Sequence, residues 1–221
     1  KGEAVRSFTL MFLQMWGITE KENEFARFLA YDPMPVKEAG GYVIPYGDCP
    51  LDDDKLGERV YMDILNRSLS YVHIMTPYLI LDGEMETALK FAAERGVEVI
   101  LLLPGIPDKI IPYALAKTHY ASLLESGVKI YEYTPGFVHA KTCVCDSAEA
   151  VVGTINLDYR SLYHHFECAA YLCRTDCIQD IEADFQSTLA NCRQVSLETA
   201  RKEKLGVKLT GRLMKAVAPL L

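Results

Sequence analysis

The stretch VEVILLL, residues 97–103, is apolar at every position except Glu98. A run of seven without polar alternation is the pattern of a β-strand covered on both faces. The segments on either side read as helices, 82–95 closed by Gly96 and about 111–126 closed by Gly127. The neighbourhood repeats this grammar. GYVIPY (41–46) reads as a short strand, and 53–68 as a helix whose start the run Asp52-Asp53-Asp54 can cap. YVHIMTPYLI (71–80) reads as a strand ended by Thr76-Pro77. Then VKIYEY, VHAKTCVC, EAVVGTI and FECAAYLC follow as four strands with little helix between them, and 176–194 as a closing helix. The expectation is an α/β domain with a mixed, mostly parallel β-sheet flanked by helices.

Three parts are expected along the chain: a helical lead-in and linker over 1–40, a domain over 41–198, and a basic tail over 199–221. In the first, Ala4, Val5, Phe8, Met11, Phe12, Met15 and Trp16 fall on one helical face, and YDPMPVKEAGG (31–41) reads as a connector. An amphipathic helix beginning this close to Lys1 suggests a piece of a longer protein. No apolar stretch approaches the length of a bilayer span.

With a net charge of −7, the chain is a poor general nucleic-acid binder, because phosphate contacts need a cationic surface. Its charge is uneven. Residues 200–221 carry six cations against Glu203 alone, so the tail is +5 and the remainder −12. In the tail, Leu209, Leu213, Val217 and Leu220 form a modest apolar stripe, with Lys208, Arg212 and Lys215 off it. The expectation is a helix packing that stripe on the domain; the alternative is a helix lying on anionic lipid. Seven cysteines, an odd number without zinc-finger spacing, read as small buried hydrophobes in a reducing environment.

The chemistry concentrates in FVHAKTCVCD (137–146). In a strand, His139 and Lys141 share a face with their Cα atoms roughly 6.6 Å apart, so both can reach one small anion. A phosphate suits a compact ammonium beside an imidazole that can attack phosphorus or carry a proton. Asp146, at the turn DSAE, is expected to bond nearby backbone N–H groups and not to touch substrate. Thr154 and Asn156 in GTIN offer neutral phosphate donors. Glu167, opening the next strand, is expected to accept the other ring N–H of His139. Asp158 and Arg160 read as a local ion pair, and His119 as an ordinary partly exposed helix histidine, the alternative being that it reaches the site mouth. Tyr78 is either a pocket wall or a core tyrosine.

The pattern His139-x-Lys141, then Asp146, then Gly153-Thr154-x-Asn156 resembles the HKD motif of the phospholipase D superfamily. From about residue 4 to 175 the chain is similar to the C-terminal half of bacterial cardiolipin synthases. One departure is His165-Phe166-Glu167 where the family usually has Asn-Phe-Glu. The resemblance implies an α/β/α sandwich half and makes His139, Lys141 and Asp146 the catalytic motif. It also implies phosphatidyl transfer through a phosphohistidine, between two phosphatidylglycerols, without cofactor or metal. The partner would be the preceding half of the same protein, or a second copy, at the cytoplasmic side of an anionic bacterial membrane. The site needs two such motifs, and none of His73, His119, His164 and His165 has a lysine two residues on. Other phospholipid-active members, a single-motif homodimeric nuclease and an inactive half-domain remain as alternatives.

Overall fold

The computed structural model describes residues 2–20, 24–30 and 40–220, with side chains as far as 219. The connector expected over 31–41 lies, apart from its last two residues, outside the described residues.

Eight strands form one sheet in the order β1-β7-β6-β5-β2-β3-β4-β8. They are β1 (Tyr42–Asp48), β2 (Tyr71–Met75), β3 (Glu98–Pro104), β4 (Lys129–Tyr133), β5 (Thr142–Cys145), β6 (Glu149–Gly153), β7 (Glu167–Cys173) and β8 (Cys192–Gln194). The helices are α1 (Ala4–Thr19), α2 (Ala26–Leu29), α3 (Leu56–Arg67), α4 (Gly83–Glu94), α5 (Ile110–Glu125), α6 (Cys177–Leu189), α7 (Leu197–Arg201) and α8 (Leu205–Lys215). The apolar run 97–103 becomes β3, and Val99, Leu101 and Leu102 are fully buried.

The sheet is mixed, as expected, but it is not mostly parallel. Only β2–β3 and β3–β4 run parallel, while β1–β7, β7–β6, β6–β5, β5–β2 and β4–β8 are antiparallel. The reason is connection length. Parallel neighbours need a crossover, which α4 and α5 provide; β5 and β6 are joined by three residues, which allow only a reversal. The larger core layer joins Tyr61, Ile64, Met85, Leu89, Tyr120 and Leu123 to one sheet face. Phe185 and Ile178 of α6 cover the other face.

One cap differs from expectation. The start of α3 is held not by the aspartates at 52–54 but by Asp48, whose carboxylate accepts the Gly57 N–H at 2.7 Å. Asp54 instead pairs with Arg59. By contrast Asp82 caps α4, accepting from the Met85 N–H at 2.7 Å.

The tail also departs from its expectation. The apolar stripe does not pack on the domain: Leu209, Leu213 and Val217 are 58%, 66% and 39% exposed. What docks is the small-residue face. A Cβ on Gly211 would stand 2.4 Å from the Ala114 carbonyl oxygen, so glycine lets α8 lie directly against α5. The end of the tail, Met214 and Ala218, packs with Ile80 and Leu115.

Of the seven free cysteines, Cys143 and Cys145 are buried as expected, while Cys177 is exposed.

Candidate active site

The registers bring the start of β5, the end of β6 and the start of β7 to one edge of the sheet, beside the carboxyl ends of β2 and β3. Met75 faces Thr142, Thr142 faces Val152, and Gly153 faces Ala169. In open α/β sheets such an edge is where ligands bind. Gly153 is required there: a Cβ would lie 2.4 Å from the Cys168 carbonyl oxygen and 2.5 Å from the Ala169 Cβ.

His139 and Lys141 sit on the approach to β5, which begins only at Thr142. The backbone there is anchored by the Gly153 N–H donating to the Lys141 carbonyl at 3.3 Å. The two side chains meet. Lys141 Nζ lies 3.1 Å from Nδ1 and 3.2 Å from Nε2 of His139 and donates to the His139 carbonyl at 2.7 Å. Phe137 flanks the imidazole, with ring centroids 5.8 Å apart. Burial lowers the Lys141 ammonium's pKa, against the opposing pull of Glu167 and Asp158. This side is therefore an exposed imidazole with a half-buried cation against it, open to an anion.

The GTIN loop closes the floor. The Thr154 hydroxyl donates to the Glu167 carboxylate. Asn156 Nδ2 donates to Ser161 Oγ at 2.9 Å, while its Oδ1 is buried without a partner. The amide turned end for end would satisfy Ser161 equally and leave two N–H donors free. A second loop, Thr76-Pro77-Tyr78, is knitted to this one. The Ile80 N–H donates to the Leu157 carbonyl at 2.8 Å, and the Leu157 N–H to Thr76 Oγ1 at 3.3 Å.

Several expected roles are not met. Glu167 makes no hydrogen bond to His139. Its partners are Thr154 and, at 3.6 Å, His165, because β7 stands two strand spacings, about 9–10 Å, from β5 with β6 between. Asp146 does not face the pair. Its carboxylate accepts the N–H groups of Leu69, Ser70 and Tyr71 at 2.8–2.9 Å, tying the β5–β6 turn to the loop entering β2. That fits the expected turn-shaping role, although the groups it holds are far away in sequence. Asp158 forms no ion pair with Arg160; it is buried and accepts the Ser161 N–H at 2.8 Å. His119 is not a partly exposed helix residue but a buried one, its Nδ1 2.8 Å from Glu86. His73 is likewise buried, stacked on Phe185 and 2.9 Å from Glu182. Tyr78 does line a cavity beside the site and donates to Asp108 at 2.6 Å.

Asp146 supplies a stability prediction. Burial disfavours its ionised form, but the N–H groups of Tyr71, Leu69 and Ser70 outweigh that and hold its pKa below the ordinary value. Stability from a depressed carboxylate is present above its unfolded pKa, about 3.9, and lost as pH falls through the folded value. Asp146 and Ser147 adopt φ of 50° and 54°. Asparagine tolerates that region, so Asp146→Asn removes the charge and one accepting oxygen without straining the backbone. Solvent screens this partly exposed group, so the variant should lose about 1 kcal/mol at pH 7, a Tm drop of roughly 2–4 °C, with the gap closing in acid. Equal melting temperatures at pH 7 would contradict this role.

The sequence profile described as "Cardiolipin synthase, PLD-like domain" matches residues 61–189, more than half of the chain. The chain belongs to this phospholipase D-like family. A 33% identical relative, named cardiolipin synthase, from Geobacillus kaustophilus aligns with the whole chain, which covers 44% of it. An uncharacterized protein of Streptococcus mutans is 62% identical over the whole chain, which covers 48% of it. The chain thus spans about half the length of these relatives. Among solved structures, phosphatidylserine synthase of Haemophilus influenzae superposes with a TM-score of 0.67 at 15% identity, over 81% of this chain and 48% of that one. That likeness concerns the fold. No helix among the described residues is long and apolar enough to cross a membrane.

Proposed function

We propose that the chain is the C-terminal catalytic half of a cardiolipin synthase, moving a phosphatidyl group from one phosphatidylglycerol to the glycerol hydroxyl of another. The observation that carries this reading is the direct contact of His139 with Lys141 at the open edge of the sheet, within the matched family segment.

In the first step a ring nitrogen of His139 bonds to phosphorus, or His139 protonates the leaving group while a second histidine attacks. The P–O bond to glycerol breaks, and the proton from the acid histidine leaves with it. In the second step the hydroxyl of the acceptor lipid gives its proton back and displaces the histidine. Lys141 and the amide of Asn156 stabilise the charge that builds on the phosphoryl oxygens, each such donor contributing about 3 kcal/mol to the barrier reduction. Thr154 and Glu167 support the floor. On this reading the second histidine comes from outside this chain. His73 and His119 are buried against carboxylates, His164 bonds the Pro219 carbonyl, and His165, exposed beside Glu167, has no lysine two residues on.

The test is to give the full-length protein containing this chain vesicles of phosphatidylglycerol alone. Cardiolipin and glycerol should appear in equal amounts. Phosphatidic acid in their place would indicate a hydrolase instead. The same vesicles test the exposed stripe on α8, whose flanking Lys208, Arg212 and Lys215 suit an anionic surface. Leu209→Glu with Leu213→Glu should weaken salt-sensitive flotation without lowering Tm; unchanged flotation would remove α8 from the membrane contact.

A further inference from the structure

Beside the His139–Lys141 pair lies a cavity of about 380 Å³ that the reaction scheme above leaves unused. Its apolar wall is Ile80, Ile111, Pro112 and Leu115, and its polar rim carries Lys109 and Arg160. Among the described residues neither cation makes a side-chain hydrogen bond or an ion pair. Lys109 Nζ only stands over the Tyr78 ring, 5.9 Å from its centroid. Asp158, in the same wall, accepts the Ser161 N–H and stands within electrostatic reach of Arg160 without forming an ion pair, so it offsets only part of the double positive charge. Two free cations at the mouth of an apolar cleft fit an amphiphile with an anionic head.

The cavity is built into the reaction edge of the sheet. Tyr78 and Asp158, in its wall, are the chain neighbours of Leu79 and Leu157, which bridge the two loops of the site, and Asp158 acts electrostatically on Lys141. A transfer between two phospholipids brings two phosphodiesters to one place. Only one can lie against His139 and Lys141, and the other needs its own cations as water is excluded.

We propose that this cavity is the subsite of the acceptor phospholipid, with Lys109 and Arg160 holding its phosphodiester and the apolar wall taking the start of its acyl chains. The assignment rests on the phosphatidyl-transfer reading and adds which residues choose the acceptor.

The experiment compares two reactions of the full-length protein. Exchange of radiolabelled glycerol into phosphatidylglycerol needs the donor site alone: glycerol leaves and labelled glycerol takes its place on phosphorus. Cardiolipin formation needs both sites. Lys109→Ala and Arg160→Ala should each lower cardiolipin formation about tenfold or more while glycerol exchange stays within about twofold of wild type. Lys109→Arg should recover most of the loss. Parallel loss of both reactions would place the cations on the donor, and loss of neither would empty the cavity of a role; either result overturns the subsite. Inorganic phosphate should compete with the acceptor at this pair of cations; inhibition of cardiolipin formation that is unchanged by Lys109→Ala would place that competition elsewhere and count against the subsite. A wild-type protein that exchanges no glycerol would overturn the transfer reading itself, an outcome distinct from the others.

Discussion

Replacing His139 with alanine in the full-length protein should reduce cardiolipin formation by about 10³-fold or more and leave the fold unchanged. The chemical half of this expectation follows from the scheme, in which His139 either bonds to phosphorus or carries the proton of the leaving glycerol. His73 and His119 are buried and already paired with Glu182 and Glu86, and neither exposed histidine, His164 or His165, has a lysine two residues on. The structural half follows from position. His139 is exposed, precedes the first residue of β5, and meets Lys141 and Phe137 but no core cluster. Circular dichroism and Tm should therefore match wild type. Turnover above a few per cent, with a folded protein, would exclude His139 from the reaction.

The strands were readable wherever burial on two faces or an apolar alternation marked them, and β3 is the clearest case. Their directions were equally readable from connection lengths. A three-residue link between β5 and β6 cannot make a parallel pair, so the expectation of a mostly parallel sheet ignored information the chain contains. The edge strand β8 is different. Cys192-Arg193-Gln194 carries no strand pattern, and its pairing with β4 is decided by the neighbour.

In the site, spacing two apart was enough to bring Lys141 onto His139. Spacing could not place Glu167, because its distance from His139 depends on how many strands stand between them. The partners of His73 and His119 lie 109 and 33 residues away, so burial of these histidines leaves no local trace in the sequence. On α8 the periodicity located an apolar stripe correctly but not the side on which the neighbour lies. Gly211 decides that, by close backbone approach, and a glycine adds nothing to a hydrophobic pattern.

The second large effect concerns the chain by itself. In the proposed scheme one His–Lys pair grips a phosphodiester from one side and the acid–base partner across the phosphorus belongs to the other half, whose loss by itself would cost about 10²–10⁴-fold. The 221-residue chain should bind phosphatidylglycerol vesicles yet form no cardiolipin as a monomer. Mixing it with the remaining half of the full-length protein should restore activity. The most direct measurement is turnover of the isolated chain over a dilution series, with light scattering on the same samples to report its mass. The half-site account predicts no product wherever the mass is about 25 kDa, that of one chain; any activity at higher concentration should vanish on dilution as an assembled form falls apart. Product formed in proportion to concentration, at the mass of a single chain, would contradict it.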